Sequence, residues 1–299
     1  MNILGISAGF HDAAVTAVRN DKIVFAGHSE RYSKRKHDSN LHPDLIRDAL
    51  KYLGSVDRIA YYERPWAKFT RQLYAGQYYD AFHPYNLRNW LYKNVPWSGL
   101  HNMPIKTSNH HLSHAAAGFQ TSAFENATVV VIDAIGEWDT ISIWHAHYKN
   151  GQAQYKKLWG QKYPHSIGLM YSAFTKQAGL KPLDEEYILM GMSGWGKYES
   201  IRQLRLKASV VDSDQDVLLK HNFHLGVPEE VIHPSDPMDM AYAVQELTED
   251  LISSIMLKAQ YLGSSKNLVY MGGVALNCLA NRILGEYFDR IWIMPNPGD

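Results

Sequence analysis

The sequence predicts an α/β protein of two duplicated lobes, and three observations predict it. The chain twice runs from a strand into a small-residue turn carrying an acid and then into further strands, first in "ILGISAGFHDAAVTAV" and again in "VVVIDAIGEWDTISIW". Segments of strand period alternate with segments of helix period along the whole length. Near the end, a double glycine in "NLVYMGGVALNCLANRIL" joins a strand to a helical stretch.

Taken in order, residues 1 to 30 read as strand, turn ("GFHD"), strand, a second turn at Asn20-Asp21, and strand. "LHPDLIRDALKYLG", residues 41 to 54, has helical spacing with Gly54 as its stop. "VDRIAYYE" is a strand. The stretch from Tyr61 to Trp97 is crowded with Tyr, Trp and Phe; it reads as helical in parts and is expected to pack mainly into the core, with a share able to stack on a flat ligand. "NHHLSHAAAGF", from Asn109 to Phe119, reads as a helix that Ser108 or Asn109 can cap. In it His110 and His114 stand at i and i+4 on one face, while His111 points about 100° away. Spacing alone leaves two readings open here, a metal-binding pair or a capped helix with polar histidines. Then come the second strand-and-turn unit, a helix in "HSIGLMYSAFTKQAGL", a longer helix from Met238 to Gly263, and a last strand in "RIWIMPNPGD".

Composition sets bounds on function. The 299 residues suit one large or two moderate domains. Acidic and basic residues balance at 30 each, so no global field draws in nucleic acid or an anionic membrane. Cys278 is the single cysteine, which excludes a disulfide framework and a cysteine-based zinc site and suits a reducing compartment. No apolar run approaches the ~20 residues of a membrane span, and "MNILGISAGF" lacks the charged start of a secretion signal. A soluble cytoplasmic protein is the expectation.

Duplicated β-β-β-α-β-α lobes are the plan of the actin, sugar-kinase and heat-shock ATPase superfamily, in which two hairpin turns face each other across a nucleotide and metal cleft. Backbone N–H groups of such turns form anion-binding nests, and small residues let a phosphate approach. The double glycine before a helix would add a third anion-binding edge. The expected lobes are residues 1–125, with the first turn, the aromatic insertion and the histidine helix, and residues 126–299, with the second turn and the double glycine.

The chain resembles the NodU/CmcH-type O-carbamoyltransferases, whose N-terminal domain is related to the tRNA threonylcarbamoyl-adenosine synthase. The resemblance runs end to end through "GISAGFHDAAVTAV", "HSERYSKRKH", "YYERPWAKF", "NHHLSHAAAGFQTSAFENA", "DAIGEWDT", "SIGLMYSAFTKQAGLKP", "EEYILMGMSGWG" and "GGVALNCLANRIL". It implies a carbamoyltransferase that uses carbamoyl phosphate and ATP, by way of carbamoyl-adenylate, to carbamoylate a hydroxyl of a sugar, nucleoside or similar small acceptor. It implies a divalent metal, iron, held by His110, His114, Asp133 and Asp299, a set suited to a borderline cation. It makes His11, with Asp12 beside it, the base for the hydroxyl. Arg35, Lys36 and His37, in the densest basic run, become anion contacts. Gly272, Gly273 and Asn277 would lie along the nucleotide phosphates, with Gly136 and Glu137 opposite. Two departures stand out: Ala134 where relatives have glycine, which narrows the phosphate approach, and Ile188 where relatives have lysine, which removes a positive charge. Relatives also carry an adenylate-forming second domain, expected here in cis beyond residue 299 or in trans, because "RIWIMPNPGD" stops inside a motif. Neither membrane nor polymeric nucleic acid is an expected partner. Two other functions predict different products: a phosphotransferase acting on a small molecule would release ADP without carbamoyl phosphate, and a non-catalytic nucleotide-binding module would turn nothing over.

Overall fold

In the computed structural model the described residues are 1–197, 204, 209–210, 218–231 and 233–298. They form two compact units, Met1–Ser113 and His114–Gly298. The division falls inside the histidine helix, which the sequence reading assigns wholly to the first lobe.

The first unit is built on strands β1 (Asn2–Ser7), β2 (Ala14–Arg19), β3 (Lys22–His28), β4 (Arg58–Tyr61) and β5 (Ile105–Thr107), in the order β3-β2-β1-β4-β5. The first three strands pair antiparallel, and β4 and β5 add in parallel. Alternation fixes the register: Leu4 and Ile6 of β1 and Val15 and Ala17 of β2 all turn inward. After the single turn α1 (Glu30–Ser33), helix α2 (Pro43–Leu53) lies over β2 and β3. Pro43 opens α2, the His42 ring accepts from the Asp44 N–H, and Gly54, at φ +79, ends it. Its stripe of Leu45, Ile46, Ala49 and Leu53 enters the core.

Helices α3 (Pro65–Tyr74), α4 (Tyr78–Phe82) and α5 (Leu87–Asn94) carry the aromatic insertion. The expectation of core packing holds for Tyr61, in the core, and for Tyr62, Tyr85 and Trp90, packed against it. It is corrected for Trp66, Tyr74, Tyr78, Tyr79, Phe82, Tyr92 and Trp97, which are all exposed. The inward positions of these short helices belong instead to Ala67, Arg71, Gln72, Ala81, Leu87 and Leu91. Helix α6 (His110–Thr121) follows β5.

The second unit repeats the plan. Strands β6 (Asn126–Ile132), β7 (Asp139–Lys149) and β8 (Gln152–Lys162) pair antiparallel. Helices α7 (Ile167–Gln177) and α8 (Glu186–Met192), the short pair β9 (Ser209–Val210) and β10 (Leu218–Leu219), and helix α9 (Pro237–Leu262) come next. Then β11 (Asn267–Met271) and β12 (Arg290–Ile293) add in parallel, giving the order β12-β11-β6-β7-β8. Both sheets therefore consist of an antiparallel three-strand meander extended by two parallel strands on the side of its first strand. β6 is buried from Ala127 to Ile132 rather than alternating, as a central strand covered on both faces must be. Asp236 caps the 26-residue α9, which sends Ile252, Ile255, Met256 and Ala259 toward the sheet and Met240, Val244 and Leu247 toward α7 and α8.

The expected helix after the double glycine is broken into short pieces: a 3₁₀ turn Gly273–Leu276, helix α10 (Cys278–Asn281) and a second 3₁₀ turn Arg282–Glu286. Asn277, at ψ +89, interrupts the run and its side chain caps the Ala280 N–H. A helix this short has no appreciable macrodipole, so what this edge can offer an anion is backbone N–H groups alone.

Candidate functional site

Helix α6 starts where the Asn109 side chain accepts from the Leu112 N–H at 3.0 Å, so Asn109 is the cap. Its position is set at Gly118, where an added Cβ would meet the side chains of Val269 and Met271 of β11 at 2.6 Å. Glycine costs helix propensity but lets the helix sit directly on the strand. One turn nearer its start, His114 is held in a buried environment, and His110 is buried with the Tyr62 ring 5.5 Å away, edge-on.

Asp133 follows β6 directly, and its two carboxylate oxygens have different tasks. Oδ1 accepts from the Ala134 N–H at 2.7 Å and from the Gly273 N–H at 3.4 Å. Oδ2 lies 3.6 Å from His114 Nε2. One oxygen is thus fixed by backbone donors while the other is turned toward the histidine helix, as in carboxylates oriented for a metal. His110, His114 and Asp133 each offer a ligand atom, all within 4.8 Å of one another. Two imidazoles and one carboxylate, largely buried and convergent, fit the borderline divalent cation that the sequence resemblance implies. His111 is buried too but lies outside this group. Asp299, the fourth expected ligand, lies outside the described residues.

Residues that sequence reasoning did not single out buttress the second turn. Ser166 Oγ donates to the Ala134 carbonyl at 2.5 Å while capping α7 through the Leu169 N–H at 3.0 Å. Gly168 lies so close that an added Cβ would stand 2.8 Å from Ala134 Cα. The Ser-x-Gly start of "SIGLMYSA" is the signal for this: a cap residue, then a glycine two positions on. Glu137 is buried in the same turn, and the Gly136 N–H donates to the Asp139 carbonyl at 2.8 Å.

At the double glycine, Gly272 adopts φ +93 and an added Cβ would meet the Ile132 carbonyl oxygen at 2.2 Å, so no other residue fits. Asn277 is turned into a side-chain network. Its Nδ2 donates to Gln245 Oε1 at 2.9 Å, and its Oδ1 accepts from Ala280 N at 3.0 Å and Gln245 Nε2 at 3.1 Å. The network extends to Tyr171, Glu249 and Arg282. Ile188 sits partly buried on α8.

The first turn is held from several sides. Gly9, at φ +95, lets the backbone pass Tyr85, whose Cβ an added Cβ would meet at 2.4 Å. Tyr61 Oη donates to the Ala8 carbonyl at 2.7 Å, and the Gly9 and Ala13 N–H groups donate to the Ser39 and Asp38 carbonyls. His11 and Asp12 are joined by an Nδ1–Oδ2 contact of 2.8 Å. His37 Nδ1 reaches the same carboxylate at 3.0 Å, while Arg35 and Lys36 project into solvent. Burial pulls the Asp12 carboxyl upward, but hydrogen bonds from His11 and His37, and their charge, outweigh it and hold it below the usual carboxylate range. Among the described residues no helix is long and apolar enough to cross a membrane.

Comparison with known proteins gives this geometry a family. The family model described as the carbamoyltransferase N-terminus matches residues 68–299. The uncharacterized protein sll1178 of Synechocystis is 33% identical over the whole of this chain and 55% of its own length. The nodulation protein NolNO of Sinorhizobium fredii is 26% identical over 97% of this chain and 44% of its own. The chain therefore spans about half the length of these curated relatives. Among solved structures, HypF of T. kodakarensis has a TM-score of 0.55 at 12% identity, over 100% of this chain and 46% of that one. That likeness concerns the fold, which is of the two-lobed, actin-like ATPase type.

Proposed function

The chain belongs to the carbamoyltransferase N-terminus family, and from that premise we propose that it carries the transfer half of an O-carbamoyltransferase, moving a carbamoyl group from carbamoyl-adenylate to a hydroxyl of a small sugar- or nucleoside-like acceptor. The observation that carries this reading is the family match over 68–299, which names the group transferred. The match to sll1178 extends over the first turn as well.

The chain's own groups suit the steps. With Nδ1–H given to Asp12 at 2.8 Å, His11 has Nε2 as its basic atom. Nε2 takes the acceptor's hydroxyl proton as the oxygen bonds to the carbamoyl carbon, and the bond from that carbon to the phosphate oxygen breaks to release AMP. The backbone at Gly136, Gly272 and Gly273, together with Glu137, Arg35 and Lys36, is proposed to bind the nucleotide. Asn277 supports that edge by capping α10. His110, His114 and Asp133, with Asp299 as the further ligand that the resemblance implies, would hold a divalent cation, iron in this proposal, which would supply Lewis-acid charge at the site. Carbamoyl-adenylate itself, made from carbamoyl phosphate and ATP, is proposed to come from an adenylate-forming domain, in cis or in trans.

Nucleotide analysis tests the reading. Protein given synthetic carbamoyl-adenylate and a panel of hydroxyl acceptors should release AMP in an acceptor-dependent way. Acceptor-dependent ADP formation from ATP alone would replace the reading with a phosphotransferase, and nucleotide binding without turnover would replace it with a binding module.

A further inference from the structure

Asp12 and His37 both have left-handed backbone conformations, at φ +47 and +55. Asp and His enter that region more readily than most residues, yet it persists only where the surroundings impose it. Here they do. The loop carrying His37 is tied to the first turn by Gly9 N–H to Ser39 O and Ala13 N–H to Asp38 O, at 2.9 and 2.8 Å. The His37 N–H is anchored in addition on Glu30 Oε2 at 3.2 Å. The outcome of these constraints is one carboxylate facing two imidazoles: Asp12 Oδ2 lies 2.8 Å from His11 Nδ1 and 3.0 Å from His37 Nδ1. In sequence His37 belongs to a basic run and reads as an anion contact for the ligand. In the fold, its Nδ1 faces the Asp12 carboxylate at 3.0 Å.

We propose that His37 is a positioning residue for the transfer reaction, acting through Asp12 to fix the tautomer of His11 and to limit how strongly Asp12 favours protonation of His11. The inference rests on the assignment of His11 as the base. One carboxylate stabilises a proton on either imidazole, but a second proton must enter beside the first, so the two rings titrate as a coupled pair. Because a proton on His37 already draws on the charge of the same carboxylate, His11 holds a second proton less tightly than it would beside Asp12 alone, which keeps Nε2 unprotonated as a base. Other charges around the pair are Glu30 with Arg31, Asp38 with Arg35, the flanking Lys34 and Lys36, and Lys68, which pairs with Glu63 and lies over the Phe10 ring beside His11. They remain in place when His37 is changed.

The test is an NMR titration of ¹⁵N-histidine-labelled full chain, in the wild type, His37→Gln and Asp12→Asn, with His11→Gln for assignment. In the wild type both His11 and His37 should carry the neutral proton on Nδ1. His37→Gln preserves a donor to Asp12 without a titrating ring, and should raise the His11 midpoint by about half a pH unit or more, the scale of one charge removed across a half-solvated site. Asp12→Asn should lower it. By reciprocity, His11→Gln should raise the His37 midpoint, a second reading should His37→Gln fold poorly. An unchanged His11 midpoint in folded His37→Gln, or an unchanged His37 midpoint in His11→Gln, overturns the inference. The titration uses no carbamoyl donor, so absence of transfer would count against the proposed function and leave this result standing.

Discussion

At the level of single residues, the i,i+4 pair His110 and His114 forms one group with Asp133 and the adjacent His111 lies outside that group, although all three histidines are buried. His110→Ala or His114→Ala should therefore abolish stoichiometric divalent metal in elemental analysis, and His111→Ala should retain most of it; equal metal in all four proteins would exclude this ligand set. His11→Gln should keep nucleotide affinity and slow transfer by roughly 10²–10⁴, the usual size of a lost general base. Asp12 makes a pH-dependent contribution whose sign follows from its depressed folded pKa. Its stabilisation is present above the unfolded value near ~3.9 and is lost as pH falls through the folded one. In urea melts, Asp12→Asn should thus be less stable than wild type at neutral pH, and the gap should close on acidification below that range. A gap that persists in acid would mean that the asparagine acts through packing rather than charge.

Among the elements, α6 shows how a helix is placed by one missing side chain. Gly118→Val should destabilise the protein by at least about 1–3 kcal/mol through overpacking against Val269 and Met271. It should also weaken metal binding, because any outward shift of α6 carries His114 away from Asp133. A fully stable Gly118→Val protein with normal metal content would show that α6 has room to spare. The start of α6 and its histidine spacing were legible in sequence because capping and helical period are local properties. The same holds for α2 and α9, each bounded by a cap, a proline and a glycine. The exposed aromatic helices were not legible. Composition alone predicts burial for so many rings, and only the assembled sheet shows that Ala67, Ala81, Leu87 and Leu91 already occupy the inward positions. Nor could the His37–Asp12 contact be read, since 25 residues separate the two and only the pairing of the first turn with the loop after α1 brings them together.

For the whole molecule, the repeated strand-turn-strand motif marked a duplication that reappears as two five-stranded sheets of one connectivity. The turns in that motif, and not the helices around them, carry His11, Asp12 and Asp133. Family membership extends that reading from architecture to the carbamoyltransferase N-terminus, and the chain spans about half the length of the curated relatives it matches. Synthesis of the activated donor by another region or another chain remains part of the proposal. Given ATP and carbamoyl phosphate but no adenylate-forming domain, the chain should release no AMP, and adding such a domain should restore turnover. The most direct measurement supplies metal-loaded protein with ¹³C-carbamoyl-adenylate and sugar and nucleoside acceptors, and follows the acceptors by mass spectrometry. The account predicts that a labelled carbamoyl group appears on an acceptor hydroxyl in step with AMP release, and that His11→Gln suppresses both. AMP release at one rate with and without every acceptor, with no label transferred, would contradict it.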